Sequence, residues 1–198
     1  MEQATAATRN LETSTGIDNK KLLMWLFLGS ECLFFGALIA AYLLYRDRSV
    51  TGPYPSDLFD IPFTSVSAFV LLMSSVSMVL ALAAIQRGNI RSMQVWLFTT
   101  ALLGVLFVSG QAYEFTVFHR EGLSLSQNLF GTTFFVLTGF HGAHVTVGVL
   151  VLLSLFVVSL RGKLTQEKSL NVELAGLYWH FVDIVWIVIF ALIYLIQP

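Results

Sequence analysis

An all-α membrane protein, folded as a bundle of five transmembrane helices, is what this sequence predicts, and three observations carry the prediction. Five apolar stretches, at about 22–45, 63–85, 93–118, 129–160 and 172–196, each exceed the roughly 20 residues that cross some 30 Å of hydrocarbon. The 198 residues are 56% hydrophobic and only 12% charged, about half the charge of an ordinary soluble domain. The stretches are continuous rather than alternating with period two, which excludes a barrel. Helices are then the one remaining backbone that satisfies its own polar groups in lipid.

Residues 1–21 form a polar N-terminal tail, rich in Thr, Ala and Asn, ahead of a transmembrane domain spanning 22–198. The tail lacks the basic start and short apolar core of a cleaved signal, and Lys20 and Lys21 anchor the first span at the membrane surface. That span carries Glu31 about nine residues in, roughly 13–14 Å deep at the helical rise, and the only cysteine, Cys32, read as a small packing residue. The connector Arg46–Pro62 holds Gly52, Pro53, Pro55 and Pro62 and is a turn-rich loop. The second span stops at Gln86-Arg87-Gly88-Asn89, with the glycine and asparagine expected past a last turn. Glu114 lies at the outer end of the third span beside His119 and Arg120, where it is expected to reach water or head groups. The fourth run is longer than a bilayer needs, so it tilts or projects, and Gly139, Gly142 and Gly148 allow a backbone or lipid tail to approach it. The fifth carries His180 and Asp183 among Tyr178, Trp179 and Trp186. Trp25, Tyr45, Trp96 and Tyr194 fall near span ends, as an interfacial belt requires.

Basic residues set the sidedness. Arg9, Lys20, Lys21, Arg87, Arg91, Arg161, Lys163 and Lys168 fall on one side, and Arg46, Arg48 and Arg120 on the other, 8 against 3. The positive-inside rule puts the N-terminus in the cytoplasm and the C-terminus on the periplasmic side. A net charge of −1 with no basic block gives no footing for nucleic acid.

Function is sought among the ionisable groups inside the spans, since each costs several kcal/mol there unless paired or wet. His141 and His144, three apart on one helix, share a face with room for a metal or haem, and His180 and Asp183 offer the same spacing on the next. No cysteine set or Glu-x-x-His pair completes such a site, and an interhelical hydrogen-bond network is the competing reading. Glu31 and Asp183 enter from the same side to similar depth. The expectation is one buried polar cluster of Glu31, His180 and Asp183, joined by His144. A proton-coupled transporter using Glu31 and Asp183 is a second class of function, and a redox enzyme with histidine-ligated haem a third.

Four stretches carry a resemblance. Leu28-Gly-Ser-Glu-Cys-Leu-Phe-Phe, Gln111-Ala-Tyr-Glu-Phe, Gly131-Thr-Thr-Phe-Phe-Val-Leu-Thr-Gly-Phe-His-Gly-Ala-His-Val and Tyr178-Trp-His-Phe-Val-Asp-Ile-Val-Trp-Ile together resemble subunit III of the haem-copper terminal oxidases. The likeness covers the membrane part and matches the short, five-helix bacterial form, which lacks the first two helices of the long form. It implies a non-catalytic subunit with no cofactor of its own. Haem and copper would sit in partner subunits, with this chain packed on subunit I, near subunit II, in a bacterial inner membrane with bound phospholipid. Glu31 matches the family's buried carboxylate, and His141, His144, His180 and Asp183 its buried polar positions, while Arg161 would contact a lipid phosphate by analogy. The electron donor, cytochrome c or quinol, binds elsewhere in such complexes. An accessory subunit of a nitric oxide reductase cluster has a similar pattern and is the alternative within this resemblance.

Overall fold

The computed structural model describes residues 16, 18–48, 59–125 and 128–196. Five long helices run α1 Asn19–Tyr45, α2 Ile61–Gln86, α3 Ile90–Arg120, α4 Leu129–Leu160 and α5 Ser169–Phe190, the last prolonged by a π-helical turn, Ala191–Leu195. All five are long and apolar enough to cross a membrane, and no strand occurs among the described residues. The chain is a multi-pass membrane protein. Most of the 1–21 tail and of the Arg46–Pro62 connector lies outside the described residues.

Four of the helices start on the side chain of an Asp or Asn. Asp18, Asp60, Asn89 and Asn128 each accept a hydrogen bond from a backbone N–H of the first turn that has no partner inside the helix. These caps set the starts of α1, α2 and α3 two or three residues before the apolar stretches read from the sequence at 22, 63 and 93. α2 and α4 end on Gly88 (φ 76°) and Gly162 (φ 67°). There the chain turns back so that Asn89 N–H reaches the Ala84 carbonyl, and Lys163 N–H the Val158 carbonyl. Gln166 then donates its side-chain amide to the Gln86 carbonyl at 2.7 Å, fastening the α4–α5 loop onto the α2–α3 turn.

Helices α2, α3, α4 and α5 pack in a ring, each against the next, with α5 closing back onto α2. α1 stands outside the ring in the angle between α4 and α5. Its most apolar 18-residue window is 11% buried, against 50% for the segment containing α5. The ring is wedged by Trp179, whose indole lies where a Cβ on Gly104 or Gly148 would approach it to 2.6 or 2.8 Å. The same indole donates to Ser74 Oγ at 2.9 Å, so one side chain touches all three neighbouring helices. Gly142 makes room for Gln111, which donates to the Thr138 carbonyl, whereas Gly139 faces open space. Two readings of the sequence are corrected. Cys32 is exposed rather than packed, because α1 turns that face away from the ring. Tyr194 is buried rather than interfacial, because the π-helical turn swings it inward beneath Phe59 (ring centroids 4.5 Å apart).

Candidate functional site

The ionisable groups of the spans fall into three separate places. The first is a groove of about 640 Å³ between α1, α4 and α5. At its wall Glu31 Oε2 lies 3.1 Å from His144 Nε2, with the two side chains 17% and 20% exposed. His144 Nδ1 lies 2.7 Å from the Phe140 carbonyl, and a carbonyl only accepts, so Nδ1 carries a proton. The contact to Glu31 therefore holds one further proton, as imidazolium with carboxylate or as imidazole with carboxylic acid. Either way the pair is neutral overall, which is the form that lipid tolerates. Tyr178 donates to the His144 carbonyl at 2.9 Å, and apart from Asn171 the rest of the lining is apolar, with Phe27, Val147 and Leu174 among it.

The second place is the seam between α2 and α5. Ser75 Oγ is 2.6 Å from His180 Nδ1 and also faces the Asp183 carboxylate. Asp183 is buried, and its Oδ1 has no hydrogen-bond partner among the described residues. His141, wholly buried in the ring, stacks on Trp186 with centroids 4.9 Å apart. Its Nε2 lies 3.2 Å from the Val182 carbonyl, so that nitrogen carries the proton.

The third place is the far end of the ring, where Thr64 donates to Glu114 Oε1 at 2.7 Å and the Tyr194 hydroxyl faces the same carboxyl. Glu114 is 7% exposed, so it does not reach water or head groups as the sequence suggested. Phe59 packs on Tyr194 and on Phe118, Phe130 and Phe134 at this end of the ring.

The expected single cluster of Glu31, His144, His180 and Asp183 is thus divided. Glu31 and His144 meet; His180 and Asp183 face α2 instead. The reason is angular: Tyr178 turns toward α4, and two residues on, about 200° around the helix, His180 points elsewhere. His141 and His144 part for a similar reason, one facing the ring and the other α1. Among the described residues no group of three or more His, Cys, Asp and Glu is arranged to hold a metal ion. Arg161 is exposed just after α4 and does not line the groove. The hydroxyl partners Thr64, Ser75 and Tyr194 were missed as site residues. Ser75 is one of several small residues in Ser74-Ser75-Val76-Ser77, a run that by itself marks only close helix approach.

These motifs extend over a whole-chain match. The family model described as "Cytochrome c oxidase subunit III" covers residues 2–197. The chain belongs to that family. A "Quinol oxidase subunit 3" of Bacillus spizizenii is 36% identical over 86% of this chain and 84% of its own. A "Cytochrome c oxidase subunit 3" of Bacillus sp. strain PS3 is 37% identical over 89% of this chain and 86% of its own. The protein of the same name from Synechocystis is 42% identical over 86% of this chain and 73% of its own. The subunit III family comprises non-catalytic subunits of haem-copper oxidases, so this chain is part of an oxidoreductase complex and not a complete enzyme.

Proposed function

We propose that this subunit III packs against the subunit that carries the haems and copper, and keeps its proton-uptake side supplied and sealed over many turnovers. The supporting observation is the Glu31–His144 pair, neutral as a unit and set in the wall of a groove open to lipid. Such a pair holds a proton without stranding a charge in hydrocarbon. The groove is wide, apolar and lined by Phe27, Val147 and Leu174, a surface for phospholipid acyl chains. Subunit II and the other oxidase subunits complete the assembly, and the donor they serve is cytochrome c or quinol. The chain sits in a bacterial cell membrane with the 1–21 tail and N-terminus in the cytoplasm, as the 8-to-3 distribution of basic residues supports. His141, His180, Asp183 and Glu114 order the helix packing, and Arg161 meets phosphate head groups.

The experiment compares the purified complex with and without this chain. The expected result is unchanged haem spectra and initial rate, followed by loss of activity during turnover in the depleted complex. Loss of haem on depletion, or activity that persists as in the intact complex, would overturn the proposal. Native mass spectrometry checks the lipid: Glu31→Leu should lower phospholipid retention, and unaltered retention removes the groove from the mechanism.

A further inference from the structure

The seam between α2 and α5 carries a polar atom where lipid has nothing to offer it. His180 is eleven residues beyond Ser169, about 17 Å along α5 and so near the middle of a 30 Å hydrocarbon layer. Its Nδ1 is held by Ser75. Its Nε2 makes no hydrogen bond among the described residues and is not among the enclosed atoms, so it lies at the molecular surface. Around it the surface is apolar. On α2 Val76 is next to Ser75 and Val79 lies one turn beyond it, and Ile184 and Ile187 follow His180 on α5, all exposed. The four are β-branched, with few rotamers to lose when another surface packs against them.

Resting on the reading as an oxidase subunit, we infer that this α2–α5 face docks a transmembrane helix of a partner subunit that presents a hydrogen-bonding hydroxyl or amide side chain to His180 Nε2. Both directions of the Ser75 bond leave the outer nitrogen in need of a partner. Ser75 has one proton and faces both His180 Nδ1 and the Asp183 carboxyl. When Ser75 donates to Asp183, it accepts from Nδ1–H of His180, and Nε2 of the neutral imidazole is a bare acceptor. When Ser75 donates to Nδ1, the outer nitrogen carries the proton and is a bare donor. Acyl chains offer a partner to neither, and leaving it bare in hydrocarbon is unfavourable. A hydroxyl or amide on a facing helix satisfies it in either form. The groove at Glu31 differs on this point, because Glu31 and His144 satisfy each other.

The test places a photoreactive benzoylphenylalanine at Ile184 in the intact complex, and at Leu102 on the outer face of α3 for comparison. Light should join the 184 probe to a transmembrane segment of another oxidase subunit, and the 102 probe to lipid or detergent. His180→Asn, which keeps a donor toward Ser75 but has no atom at Nε2, should lower the fraction of complexes retaining this chain by roughly fivefold at limiting detergent. The amount of the chain in membranes should be unchanged. Lipid adducts alone at 184 with a subunit adduct at 102, or full retention of the Asn variant, would overturn the inference and leave the oxidase assignment standing. A chain that yields no subunit adduct at either probe and purifies alone would remove the proposed function itself.

Discussion

The ring α2–α5 and the outlying helix α1 shelter carboxyl groups in opposite ways. Glu114 in the ring is buried and meets two hydroxyls. Glu31 on α1 meets one imidazole and borders an open groove. A carboxyl fixed by hydroxyls is suited to holding helices together. A carboxyl that shares a proton with an imidazole, at the edge of a space other molecules enter, is suited to exchange. Both lie within spans, Glu31 deep and Glu114 toward the end of α3, so lying in a span does not by itself set the role. The number of walls around each does.

That contrast is open to attack from both sides, and the ring should yield the larger effects. Gly104→Leu forces a side chain into the space of Trp179 and should destabilise the subunit by about 3 kcal/mol, the upper part of the overpacking range. Thermal denaturation of the detergent-solubilised complex reads it as early loss of this chain, and a wild-type midpoint would show that the wedge is not rigid. Next comes Glu114→Leu, which removes the carboxyl that both Thr64 and Tyr194 face and leaves those two hydroxyls to each other, at about 1–3 kcal/mol. Glu114→Gln should recover most of it, because an amide still offers an acceptor. If Leu and Gln melt alike, the buried network contributes nothing.

On the open side, His144→Ala should cost only about 0.6 kcal/mol in stability, the average for a hydrogen bond between membrane helices. Its visible effect should be faster loss of activity in turnover, so a large drop in melting temperature with normal turnover would reverse the roles given to the two regions. The smallest effect is expected at the edge of α1, where Lys21 pairs with Glu173 and both side chains are about one-third exposed. Lys21→Ala should change stability by a few tenths of a kcal/mol, falling further with added salt.

The five helices were legible because a membrane leaves the backbone so few choices, and the end of α2 because Gly88 and Asn89 mark it by local chemistry; the starts capped by Asp18, Asp60 and Asn89 lie two or three residues ahead of the apolar runs and were not read. Which way each side chain faces was not. A helix that is apolar all round carries no stripe that distinguishes neighbour from lipid, so the spacing of His141 and His144, or of Tyr178 and His180, fixed angles between residues but not their targets. Depth reckoning placed Glu31 and Asp183 at one level and wrongly drew them into one cluster. The hydroxyls of Thr64, Ser75 and Tyr194 escaped notice as partners because Ser, Thr and Tyr are common in membrane helices and acquire meaning only opposite another polar group. Tyr194 was hidden further by a π-helical turn, which shifts register in a way that apolar periodicity does not record.

The tryptophan wedge also bears on how the protein is made. Trp179 belongs to α5, while the notches that receive it, at Gly104 and Gly148, emerge from the ribosome well before it. Until α5 enters the bilayer, α2, α3 and α4 have no common keystone and their two glycine hollows remain open to lipid. Chains released before α5 should therefore be poor substrates for assembly and good ones for membrane proteases, with the arrival of that helix checked by a single indole.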